Sequence, residues 1–225
     1  MEFFKKYIHT TYKALAIFGA AIVGIYILFR LIALQFPFFE NRWIFQFFDV
    51  GLEANMPTYF SVLIFLIMGI VAWIIGGIEK SQGNRAWPWI GTTILLLFLG
   101  LDELGEVHEQ LTWHTQQLLD VSGFLAFAWV IPYLIIVALL SIFYIPFLWK
   151  LKYRAWFFWG AIVFITGAAG VEMIGAYFYD TQGVMSAGFI IASSIEEIME
   201  IAGLLIALGG FIREMNHRLP YITKK

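Results

Sequence analysis

Six stretches of the chain are apolar almost without interruption, near residues 14–36, 58–79, 87–107, 124–148, 155–179 and 186–211. Each reaches the roughly 20 residues a helix needs to cross a bilayer. The pattern predicts an all-α fold, a polytopic bundle of six transmembrane helices forming a single domain over residues 1–225. The first run is too long for the core of a signal peptide and no small-residue cleavage site follows it. It is expected to be an uncleaved first span. Pro57 and Pro88 open the second and third runs, where a missing N–H costs nothing. Ser122 is placed to cap the fourth helix, and Pro132 and Pro146 predict a kink in it.

The polar residues between the runs set an orientation. Lys5, Lys6 and Lys13 precede the first run, and Lys80 and Arg85 separate the second from the third. Lys150, Lys152 and Arg154 separate the fourth from the fifth, and Arg213, Arg218, Lys224 and Lys225 follow the sixth, while the three opposite loops hold only Arg42. This alternation predicts both termini on the cytoplasmic side of the cell's inner membrane and an even number of spans.

Composition sharpens the class. The chain is 61% hydrophobic, 19% aromatic and only 13% charged, and its 23 Phe and nine Trp suit a lipid solvent. The bilayer is therefore the expected partner. The net charge of −2 comes without a basic stripe, so nucleic-acid binding is not expected. The absence of cysteine excludes disulfides, thiolate metal sites, iron–sulfur ligation and thiol nucleophiles. A homo-oligomer is compatible with the pattern.

Against this background the acids stand out. The third run ends in Asp102, Glu103, Glu106, His108 and Glu109; the fifth contains Glu172, and the sixth Glu196, Glu197 and Glu200. A charge near the bilayer centre costs at least ~2.5–3.5 kcal/mol, so such residues persist where they pair, bind something or line water. Counted along the helices from the cytoplasmic side, Arg30, Asp102 and Glu172 each rise about 22–25 Å through a core about 30 Å thick. At about 100° per residue, Asp102, Glu106 and Glu109 form one stripe with Glu103 at its edge, and His108 points well away. Glu196, Glu197 and Glu200 share another arc. Gly160, Gly167, Gly170 and Gly175 make the fifth helix slender enough for close approach.

Too many acids then face too little positive charge. Arg30 is expected to be a structural counter-ion to Asp102 or Glu172. The remaining carboxylates cannot all ionise at close range, so they hold protons or share a cation. Glu106 and Glu109, like Glu197 and Glu200, are spaced i, i+3, the spacing by which bundles hold metals, although the usual Glu-x-x-His is not met. The plainer reading of Glu106 and Glu109 is a helix end already in water. His108 is an optional imidazole ligand, and otherwise an exposed histidine. His108 and His114 do not share a helical face, and His9 and His217 lie at the cytoplasmic end, so haem is not expected. Glu53 and Asn55 either cap the second helix or form a lip over the acidic cavity. Trp113, Trp129 and Tyr133 read as interface or packing aromatics. No hydrolase triad order, P-loop or dinucleotide fingerprint is present.

The stretches Glu53-Ala54-Asn55-Met56-Pro57-Thr58-Tyr59-Phe60-Ser61, Leu101-Asp102-Glu103 with His108-Glu109, and Glu196-Glu197 with Glu200 resemble a family of bacterial multi-pass membrane proteins to which no activity is attached. The resemblance implies one constellation of Asp102, Glu103, His108, Glu109, Glu196, Glu197 and Glu200, with Glu106 less typical of it.

Three functions fit these observations. The first is binding of one or two divalent cations (Mn²⁺, Fe²⁺, Zn²⁺ or Ca²⁺) by Asp102, Glu103, Glu106, His108, Glu109, Glu172, Glu196, Glu197 and Glu200, in a cavity open to the outer side, for ion or proton-coupled transport. The second is a metal-dependent membrane oxidoreductase or hydrolase acting on a lipid or quinone, with Glu172 moving a proton. The third is a non-catalytic assembly protein with a protonated acidic cluster.

Overall fold

The apolar runs fold as helices in the computed structural model, which describes residues 2–49, 54–184 and 186–219, with the backbone alone for 2–9, 34 and 37. Among the described residues the α-helices are α1 (Glu2–Gln35), α2 (Trp43–Phe48), α3 (Met56–Ser81), α4 (Trp87–Gly105), α5 (Val107–Leu119), α6 (Val130–Trp149), α7 (Arg154–Ile165), α8 (Glu172–Gln182) and α9 (Ala187–Arg218), and there is no strand. A π-turn at Thr166–Val171 joins α7 to α8 without interrupting the rod. Five segments are long and apolar enough to cross a membrane: Thr10–Ala33, Met56–Ser81, Trp87–Gly105, Val130–Trp149 and Arg154–Gln182. The acids and terminal charges of α9 keep it out of that set, although it is 32 residues long.

Local chemistry explains the ends. Asn55 accepts the Thr58 N–H at 3.1 Å, capping α3, and Pro57 occupies its first turn. Ser186 caps α9 by accepting from the Phe189 N–H at 3.2 Å. Ser122 does not cap α6: it makes no side-chain cap bond and precedes a 3₁₀ turn at Gly123–Leu125, with α6 starting at Val130. Pro132 thereby falls in the first turn of α6, where its missing donor is harmless, and Pro146 stands inside the helix. The third run ends at Gly105, because Glu106 takes a left-handed conformation (φ 51°) and α5 sets off anew.

The core forms where α1, α3, α4 and α9 meet, around Ile22, Ile64, Met68, Trp89, Leu208 and Phe211. Small residues bring α7 and α9 together. A Cβ on Gly160 would lie 2.8 Å from the Ala207 backbone nitrogen, and one on Gly203 would lie 2.6 Å from that of Phe164. On the π-turn, a Cβ on Gly167 would lie 3.0 Å from the Glu196 carbonyl oxygen. Gly160 and Gly167 therefore act as close-packing glycines. Gly175 makes only ordinary contact with Ala192 and Gly170 only with its own helix. At the far end of α9, buried Glu214 accepts from Arg218 and from the Tyr153 N–H, and Arg218 reaches Glu79 of α3 at 2.6 Å.

The helix α6 is the exception to this packing. Leu134, Ile135, Ile136, Val137 and Leu139 are each at least 36% exposed. At 100° per residue they cover every side of the helix, so its middle stands off from the bundle.

Candidate functional site

The break at Glu106 builds one wall of the site. It turns the chain so that His108, which a continuous helix would aim elsewhere, folds back over the end of α4. Asp102 is buried at 6% exposure, and its Oδ1 accepts the His108 backbone N–H at 2.9 Å and lies 3.3 Å from His108 Nδ1. The predicted Asp102–Glu106–Glu109 stripe is accordingly broken. Glu106 is the left-handed residue between two helices and does not line the cavity described below, whereas Glu109 returns to it on α5.

The opposite wall comes from α6, α8 and α9. The His108 ring lies against Trp129, centroids 4.9 Å apart, and Trp129 packs on Tyr133 at 5.0 Å. Trp129 donates its indole N–H to Glu172 Oε1 at 3.1 Å. Tyr133 directs a buried hydroxyl at Asp102 without completing a well-formed hydrogen bond. Trp129 is thus a polar partner within the site, and Tyr133 packs on it with its hydroxyl turned toward Asp102. Their signal in the sequence is a polar-tipped aromatic pair, four residues apart, beside the acids. Glu172, directly after the π-turn, stands beside Glu196, with Glu197 and Glu200 close by. Glu109 sits at the edge. Burial above all holds its carboxyl above the ordinary range, His108 opposes this, and Glu106 and Glu172 add to it.

All these groups open onto one cavity of about 870 Å³, within the usual range for small-molecule sites. Asp102, Glu103, His108, Glu109, Glu172, Glu196, Glu197 and Glu200 line its polar end, and none of its lining residues is Lys or Arg. Beyond them it continues between α4, α6 and α7 past Leu99, Val137 and Leu140 as far as Trp89 and Phe211. Among the described residues, no three of the His, Asp and Glu side chains are disposed as ligands of one metal ion.

Two residues expected at the site lie elsewhere. Arg30 is a counter-ion, but its partners are Asp49 at 3.0 Å and Glu40 at 3.2 Å, with Tyr26 accepting at 3.1 Å, and not Asp102 or Glu172. Glu40, before α2, and Asp49, directly after it, are nearer to hand than the acids across the bundle. Tyr26 meets Ser194 at 2.6 Å, two residues before Glu196, so this ion pair is tied to α9. Asn55 is 3% exposed, donates to the Asp49 carbonyl and caps α3, so it is a buried brace and not a cavity lip. Glu53 lies outside the described residues.

This fold and composition fit a multi-pass helical membrane protein. The chain belongs to the family defined by the domain of unknown function DUF8692, whose model matches residues 14–213. No curated protein and no solved structure gives a match.

Proposed function

We propose that this is a six-span protein of the inner membrane, both termini cytoplasmic, that binds a divalent cation in the acidic end of its cavity. The sixth span is α9, about 48 Å long at 1.5 Å per residue and packed centrally against α1, α3 and α7. The regular placement of Lys and Arg supports the orientation. One observation carries the functional reading: seven carboxyl side chains line a single cavity with one histidine and no Lys or Arg. Arg30 and Arg218 are held by acids elsewhere. Oxygen ligands with an optional imidazole suit Mn²⁺, Fe²⁺, Zn²⁺ or Ca²⁺. Glu172, Glu196, Glu197 and Glu200, with Glu109 and His108 at the rim, are the ligand candidates, and binding requires their side chains to rotate toward a common centre. In the absence of an ion the same groups hold protons.

A second reading is favoured by the apolar extension of the cavity: an enzyme that uses the ion on a lipid or quinone reaching the acids from the membrane. Metal analysis of detergent-purified protein tests the first reading. Stoichiometric divalent metal in the wild type that is lost in Glu196→Gln/Glu200→Gln is expected; protein that neither retains nor takes up any divalent ion would refute it.

A further inference from the structure

We infer that the cleft behind α6 is a binding site for a single-chain membrane amphiphile whose head group is positively charged, a long-chain amine in chemical class. The inference rests on the acidic end and the apolar extension being one cavity, and does not require the cation. The first observation is the shape of the space. The middle of α6 is loosely packed, and Leu134, Val137, Leu140, Tyr144 and Leu148, at helical spacing, present one face of it to the cavity. From Trp89 to Asp102 the α4 wall runs about 20 Å at 1.5 Å per residue, roughly two-thirds of a bilayer core of about 30 Å. The far end is closed by aromatic contacts, Trp89 on Phe147 at 5.2 Å and Phe157 on Phe211 at 4.9 Å. A largely apolar slot of that length, closed at its far end, suits one hydrocarbon chain.

The second observation is the sign of the other end. Seven acids, one histidine and no Lys or Arg line it, so a phosphate or carboxylate head would find no cationic partner there. An ammonium offers three donors to the carboxyl oxygens at this end. Leu134 and Ile136, which line the cavity and are 41% and 50% exposed, mark the route from the bilayer.

The test uses the full-length protein in phosphatidylcholine nanodiscs and two photo-crosslinking probes, a hexadecyl amine and a fatty acid of equal length, each carrying a diazirine in the chain. The amine is expected to label peptides covering Leu134–Leu140 and Leu95–Leu99 saturably and at least tenfold more than the acid. Labelling should fall about tenfold in Leu140→Trp, which fills the slot, and in Glu196→Gln/Glu200→Gln. Equal, unsaturable labelling by both probes, or saturable labelling elsewhere, would overturn the inference. Repeating the experiment after chelation separates the readings: amine labelling that persists in protein shown by calorimetry to bind no Mn²⁺ leaves this site standing without the cation, and Mn²⁺ binding without amine labelling does the reverse.

Discussion

Trp129 donates its indole N–H to Glu172 at 3.1 Å, joining the first residue of α8 to the turn that precedes α6. It is the hydrogen bond that holds the loosely packed α6 to the acidic end of the cavity. Trp129→Phe keeps a ring beneath His108 and removes the donor. A hydrogen bond contributes about 0.5–1.5 kcal/mol, and the variant should unfold at correspondingly lower temperature in detergent. Its divalent-cation affinity should change as well. Unchanged stability and affinity together would mean that Glu172 does not depend on this partner.

Glu106 is a helix-breaking residue at φ 51° and lies off the cavity. A non-glycine residue there costs about 1–2 kcal/mol. Glu106→Gly should therefore stabilise the protein by about 1 kcal/mol in thermal unfolding and leave cation affinity as it was. A loss of affinity would restore Glu106 to the ligand set.

The pH dependence at Glu109 has a definite sign. Its carboxyl is raised above the ordinary 4.5 in the folded protein, chiefly by burial. Between the unfolded and folded values the folded state binds more protons than the unfolded state, so stability falls as pH rises through that window, and the full penalty remains above the folded value. Glu109→Gln removes the penalty. Its melting temperature relative to wild type should rise with pH above 4.5 and then level off. A difference independent of pH between 4 and 8 would contradict the shift.

Arg30 neutralises Asp49 and Glu40, whose side chains are 11% and 37% exposed. Breaking a fully buried pair costs about 3–5 kcal/mol; with this much solvent access Arg30→Met should cost about 2 kcal/mol, part of it recovered in Arg30→Met/Asp49→Asn. Cation affinity should stay within about twofold, because the guanidinium does not pair with the acids that line the cavity. A marked gain in affinity would mean that Arg30 balances those acids after all.

Close helix approach makes a further prediction. A Cβ on Gly203 would lie 2.6 Å from the Phe164 backbone nitrogen, and Gly203→Ala should destabilise by about 1–3 kcal/mol. Gly77 has open space around it, and Gly77→Ala should be neutral or stabilising by up to about 1 kcal/mol. Denaturation of both variants in the same detergent checks the contrast.

The helices were legible because length and apolarity are properties of contiguous sequence, and the five apolar segments of the structure fall within a few residues of five of the expected runs. The sixth run folds as a helix whose acids set it apart from the other five. The left-handed turn at Glu106 was not legible: extrapolating 100° per residue across Gly105 put Glu106 inside and His108 outside, and one backbone dihedral reversed both. The partners of Arg30 were missed for a related reason, since α2 folds Asp49 back on α1 and no periodicity encodes that return. Acids from α4, α8 and α9 line one cavity, and their charge and helical spacing are what motivate the cation reading.

Calorimetric titration of metal-free protein with Mn²⁺ in two buffers of different ionisation enthalpy probes both halves of the electrostatic claim. A cavity holding protons among surplus carboxyls must release them when the ion enters. The expected result is saturable binding near one or two ions per chain with net release of at least one proton, abolished in Glu196→Gln/Glu200→Gln. Absence of binding, or binding with the same heat in both buffers, would contradict it.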